Sequence, residues 1–116
     1  MKKSQQELFD NLNGKSSLSE VQQYIKDVIE VRGFDKGPIE ETMLLLLEEV
    51  GELAKAIRKT ETDLAVDVEK LQNYETVESE VADVLIVLCS ICNLLDIDLF
   101  QALKAKEGIN INRNWK

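Results

Sequence analysis

An all-α bundle of about four to five helices is what this sequence predicts, and three observations predict it. Apolar residues recur at spacings of three and four along most of the 116 residues. No useful length of chain alternates apolar and polar residues with the period of two that a half-buried strand requires. A single proline and five glycines leave few points at which helices must stop.

The elements follow in order. Residues 4–13 suit a short amphipathic turn or helix, ended by Asn13-Gly14. The next helix starts near Ser17, where Ser17-Leu18-Ser19-Glu20 has the spacing of a capping box. Val21, Tyr24, Ile25, Val28 and Ile29 then recur at helical spacing, and Gly33 after Arg32 suits the left-handed residue that ends a helix. Asp35-Lys36-Gly37-Pro38 reads as a loop, with Pro38 at the first position of the following helix. That helix runs to about Lys59. It carries Glu40 and Glu41 in its first turn and Lys55, Arg58 and Lys59 in its last, which complements its dipole.

Residues 60–75 are polar and acidic with sparse apolar residues; they suit a short helix between loops and are expected to be a variable, mobile linker. A third long helix is expected over 77–95, broken by Asp96-Ile97-Asp98. Asp98, with Gln101 three residues on, can cap a last helix over 99–107. The tail, 108–116, is polar with Trp115 near its end. With no internal repeat, residues 1–116 read as one domain with an N-terminal extension over 1–16.

Composition narrows the function. Apolar residues make up 44% and charged residues 31%, enough for one small core. Acidic residues outnumber basic ones 22 to 14, giving a net charge of −8. That argues against nucleic acid or an anionic membrane as partner. It does not argue against a nucleotide, because a divalent cation inverts the local charge. The absence of histidine removes His-based triads, imidazole zinc sites, haem ligation by His and the Glu-x-x-His di-iron bundle.

Two cysteines, Cys89 and Cys92, are too few for a disulfide framework. Their place inside an apolar helix favours core packing over redox or zinc chemistry. The first residues have charge but no following apolar run, so no signal peptide is expected. The most apolar runs, 43–47 and 84–92, fall short of the roughly 18 residues of a membrane span. A soluble, cytoplasmic protein is expected.

Residues 43–47 and 84–88 are apolar on every face of a helix, which normally means burial on all sides. A central helix of a monomeric bundle would explain one of them. A homo-oligomer, whose helices pack against a second chain, explains both better.

The same two helices carry paired carboxylates. Glu49 and Glu52 are three apart, as are Glu80 and Asp83, so each helix presents two acids on one side. Their neighbours are apolar, and no basic residue lies between Gly37 and Ala54 or between Tyr74 and Ala102. Buried carboxylates without partners are costly, and a hard divalent cation is the natural compensation. One such pair alone is more often a solvated helix face; two on strongly apolar helices favour a metal site. Gly51, inside the helix at a cost of about 1 kcal/mol relative to Ala, makes sense if another helix or a ligand approaches closely there.

The run Leu47-Glu48-Glu49-Val50-Gly51-Glu52-Leu53-Ala54, followed by Glu80-Val81-Ala82-Asp83-Val84-Leu85, resembles the MazG-like branch of the all-α nucleoside triphosphate pyrophosphohydrolases. Lys106, Asn110, Arg113 and Trp115 match the spacing of the residues near the end of many members, and the Arg32-Gly33-Phe34 turn is also similar. The resemblance implies an all-α bundle completed by oligomerisation, as dimers or tetramers with sites near subunit contacts. It implies hydrolysis of a nucleoside triphosphate, most readily a deoxynucleotide, to the monophosphate and pyrophosphate, in a role such as clearing aberrant or surplus nucleotides.

By that match Glu49, Glu52, Glu80 and Asp83 bind Mg²⁺, with Mn²⁺ as a substitute. Glu48 is an auxiliary carboxylate, either a water-orienting base or a ligand to a further metal, and Lys106 and Asn110 contact the nucleotide. From the residues themselves, Lys36 can reach a phosphate from its Gly-flanked loop, although such a lysine is usually solvated. Arg113 and Trp115 either cover the nucleotide or anchor the tail, with anchoring favoured. Phe34 can stack on a base, though an aromatic at a helix entry is usually core. Two rival readings share the fold: an acidic helical interaction module with a degenerate site, and an enzyme like phosphoribosyl-ATP pyrophosphohydrolase.

Overall fold

The computed structural model describes residues 2–34, 36–65 and 76–115. Five helices and no strand are present among them: α1 (Gln5–Asp10), α2 (Leu18–Arg32), α3 (Ile39–Glu61), α4 (Val77–Leu94) and α5 (Leu99–Asn110). The fold is all-α, as the periodicity required. Of the expected linker 60–75, residues 66–75 lie outside the described residues.

Local chemistry sets the helix ends. Ser17 Oγ accepts the Glu20 amide at 3.0 Å, and Glu20 Oε1 accepts the Ser17 amide at 3.0 Å. This is the expected capping box, and the Ser17 N–H holds the Glu20 carboxyl below its ordinary pKa. Ser4 and Glu7 build a second box at the start of α1. Gly33, at φ 78°, closes α2: its N–H reaches Glu30 O, and Phe34 N–H reaches Ile29 O. The same arrangement ends α4. Asp96 takes the left-handed position at φ 55°, and Ile97 N–H reaches back to Cys92 O at 2.8 Å.

Several boundaries differ from expectation. Pro38 is the N-cap of α3, one residue before the position foreseen for it. α3 continues to Glu61, through the expected start of the linker, where the Thr60 hydroxyl bonds back to Ala56 O at 2.9 Å. α5 continues through Gly108 to Asn110, since Gly108 keeps negative φ and nothing there offers a left-handed stop. α1 ends at Asp10, with Asn11 as its C-cap, before the Asn13-Gly14 pair.

The chain forms two compact units, one of Met1–Gly37 with Cys89–Lys116 and one of Pro38–Leu88. In the first, Ile25 and Val28 of α2 and Cys89, Ile91 and Cys92 of α4 are buried. The two thiols are free, and burial pushes both up from their ordinary pKa, as expected of core cysteines. The second unit holds α3 and the first turns of α4. There Ala56 and Glu80 are the buried residues among those described. The run 43–47 is not enclosed by its own chain. Met43, Leu44, Leu45 and Leu47 are exposed, Leu47 at 63%, and so are Val50, Ile57, Val81, Leu85 and Leu88. Met43, Leu47, Val50, Ala54 and Ile57 follow the four-three spacing of a helix–helix seam.

Candidate metal centre

α3 and α4 present the carboxylates from within the unit Pro38–Leu88. Three of them converge: one oxygen each from Glu49, Glu80 and Asp83 lies within 4.8 Å of the others. Glu80 is the buried member, at 3% exposure, while Glu49 and Asp83 are half-buried. Spacing explains the pair on α4, since Glu80 and Asp83 stand three apart on one face.

The electrostatics of the cluster follow from burial without cations. The Glu49 carboxyl is pushed above its ordinary pKa, first by burial and then by the charge of Asp83, with Glu52 and Glu48 adding to it. A hydrogen bond from Glu80 works the other way on Glu49. Glu80 is raised too, by burial first, then by Asp83, Glu49 and Glu52, and by donating its proton to Glu49. Two carboxyl groups therefore share one hydrogen bond, and the cluster favours holding a proton. Even so, Glu80 Oε2 is buried without a hydrogen-bond partner. A buried oxygen left unsatisfied carries a desolvation penalty of about 1–3 kcal/mol.

This donor set fits a hard divalent cation. All three groups offer oxygen, the ligand type Mg²⁺ takes, and a cation would satisfy Glu80 Oε2 and offset the mutual repulsion.

Glu52, the fourth acid, is not brought into the group of three. It is exposed, and its carboxylate lies 3.5 Å from Lys55 Nζ. Its charge nonetheless bears on both Glu49 and Glu80. Glu48 is exposed beside Glu49. Lys36 is exposed in the connector before α3.

Lys36 and the remaining candidates belong to the other unit. Lys106 is exposed on α5. Asn110, at the end of α5, donates from Nδ2 to Glu107 Oε2 at 2.7 Å, and its Oδ1 is buried without a partner. Trp115 folds back so that its indole N–H donates to Asn110 O at 3.0 Å, and Arg113 N–H reaches the same carbonyl at 3.1 Å. These two bonds hold the tail to the end of α5, while the Trp115 ring stays exposed. Phe34 is 72% exposed and so is no core residue of this chain.

Sequence reasoning missed one polar group, an amide pair formed by Gln22 and Asn93 across 71 residues. The available signal was an asparagine in an otherwise apolar run, Ile91-Cys92-Asn93-Leu94.

Compared with known families, residues 38–108 match the model described as the MazG nucleotide pyrophosphohydrolase domain. That segment takes in Glu48, Glu49, Glu52, Glu80, Asp83 and Lys106, and stops short of Asn110, Arg113 and Trp115. No curated protein and no solved structure matches the chain.

Proposed function

The chain belongs to the MazG nucleotide pyrophosphohydrolase family, and from that premise we propose that it hydrolyses a (deoxy)nucleoside triphosphate to the monophosphate and pyrophosphate with Mg²⁺. The observation that carries this reading is the convergence of Glu49, Glu80 and Asp83, together with the buried, unpartnered Oε2 of Glu80. Those three residues would hold the ion, Mg²⁺ or in its place Mn²⁺, joined by Glu52 once its carboxylate leaves Lys55. When bound, the ion supplies charge neutralisation on the phosphate oxygens and a water of lowered pKa.

The chain's own residues do the rest. Glu80 is kept from water, so its carboxylate stays available to the ion instead of being spent on solvent. The water that opens the anhydride between the α- and β-phosphates must lose a proton, and a carboxylate can accept it. Glu48, exposed beside Glu49, is the residue free to do so. Lys106 supplies a fixed positive charge to the phosphates, and Asn110 offers an amide to base or sugar. Lys36 adds a second cation for the phosphates, while Arg113 and Trp115 secure the tail to this end of α5.

The exposed seam of Met43, Leu47, Val50, Ala54 and Ile57 supports assembly into a homo-dimer or tetramer. Gly51 lies on α3 with open space where a Cβ would be, which leaves room for a close helix.

The test is pyrophosphate release from a panel of ribo- and deoxynucleoside triphosphates with and without Mg²⁺. Turnover that needs the ion and is lost in Asp83→Asn, with helicity intact, is expected. No turnover of any nucleotide would instead favour the interaction module.

A further inference from the structure

We propose that Gln22 is a positioning residue for nucleotide binding, acting through α5, whose direction it fixes. This rests on the pyrophosphohydrolase reading and on the assignment of Lys106 and Asn110 to the nucleotide.

The first observation is that α5 has no core anchor. None of its twelve residues is buried, and Phe100, Leu103 and Ile109 are all exposed. A helix held by packing sinks at least one apolar side chain among its neighbours. Leu99, half-buried, is the only apolar residue of α5 that is not exposed, so polar ties bear much of the task of orienting it.

The second observation is a set of hydrogen bonds at the start of α5. Gln22, half-buried on α2, uses both ends of its side-chain amide there. Nε2 donates to Asn93 Oδ1 at 3.0 Å and to Ile97 O at 2.7 Å. Oε1 accepts the Leu99 amide N–H at 2.9 Å. Asn93 answers by donating from Nδ2 to Gln22 O at 3.3 Å. One side chain thus ties together three successive features: the last turn of α4, the connector containing left-handed Asp96, and the first residue of α5.

Leu99 N–H is one of the orphan donors at a helix start. The N-cap Asp98 satisfies a different one, the Gln101 amide, at 3.0 Å. So Asp98 begins the helix, while Gln22 aims it: the Asp98 bond is internal to α5, whereas the Gln22 bond comes from another helix.

The consequence falls on the far end. Lys106 stands about 10 Å and Asn110 about 16 Å along the axis from Leu99, at 1.5 Å per residue. A change of tilt at the pinned end grows along that length. Ion-pairing and hydrogen-bonding groups that must meet a phosphate or a sugar are sensitive to displacements of about 1 Å. Freeing the connector should therefore weaken nucleotide binding, with the carboxylates of the other unit unaffected.

The experiment compares steady-state kinetics of wild type, Gln22→Met, Gln22→Glu, Lys106→Ala and the Gln22→Met/Lys106→Ala double variant. Metal titration is run alongside, with no nucleotide present. Methionine keeps the length of Gln22 and removes its three side-chain bonds, leaving the bond from Asn93 to the backbone carbonyl. Glutamate keeps the acceptor for Leu99 and removes the donor, and so serves if the methionine variant does not fold.

Gln22→Met is expected to raise KM about tenfold or more with kcat within about twofold, and to leave metal binding as in wild type. Gln22→Glu is expected to fall between. Because Gln22 acts in part through Lys106 and in part through Asn110, adding Gln22→Met to Lys106→Ala should raise KM by less than the product of the two single effects. A lower melting temperature with KM unchanged would overturn the proposal and leave Gln22 as a structural clip. So would multiplicative effects in the double variant, or a fall in kcat with KM unchanged. If wild type turns over no nucleotide, the functional reading itself fails; if wild type is active and Lys106→Ala leaves KM unchanged, only the assignment of Lys106 fails; either result takes this inference with it.

Discussion

Glu80 concentrates the physics of this chain. A buried carboxylate with one unpartnered oxygen is an expensive group, and nothing basic lies near it in sequence to offset the cost. Its raised pKa, and that of Glu49, has a definite sign for stability. The metal-free native state holds protons that the unfolded chain has already released. For these two groups, stability is therefore fully present below the ordinary carboxylate pKa and declines as pH rises through the raised values. Thermal melting of metal-free protein across that range should show the decline, and saturating Mg²⁺ should reverse it at neutral pH. Glu80→Gln keeps a hydrogen-bond donor for Glu49 and removes the charge. It should melt at least as high as wild type without metal, show no gain with metal, and lose activity on the order of a hundredfold or more, the equivalent of about 3 kcal/mol of lost charge stabilisation. Glu49, Glu80 and Asp83 were legible in the sequence because carboxylates in apolar helices without nearby cations are improbable as a solvated face. The position of Glu52 was not legible, because Lys55, three residues on, competes for it on the same helix face.

At the scale of elements, the helix ends that were read correctly are those made by local bonds. Ser17 with Glu20, Gly33 after Arg32 and Asp98 with Gln101 all act within four residues, and sequence carries such signals directly. Their energetic size is testable. Asp98→Ala should cost about 1 kcal/mol of stability, seen as a lower melting temperature, with metal binding by α3 and α4 unchanged. A loss of metal binding in that variant would show that the carboxylate helices depend on the start of α5. The boundaries that sequence misplaced have equally local causes. Thr60 bonding back to Ala56 carries α3 onward, and Gly108 in ordinary helical conformation lets α5 pass. What sequence could not show was the tie between Gln22 and Asn93, since pairing across 71 residues leaves no periodic trace.

At the scale of the whole molecule, Ala56 is the one buried apolar residue among the described residues of the unit Pro38–Leu88, and the seam along α3 is exposed. Sequence foresaw this as an excess of apolar faces for one small bundle. Leu47→Glu is expected to shift the solution mass measured by light scattering from oligomer to monomer, whereas the same change at exposed Gln101 of α5 should not. A monomeric wild type would refute the assembly while leaving the carboxylate cluster in place. The central claim is that this cluster is a cation site, and it can be tested without any nucleotide by titrating Mn²⁺ and following the free-ion electron paramagnetic resonance signal. Wild type should quench that signal until its sites are filled and release it on adding excess Mg²⁺, while Glu80→Gln leaves it free. A wild-type protein that leaves the Mn²⁺ signal as it is in buffer would contradict the claim.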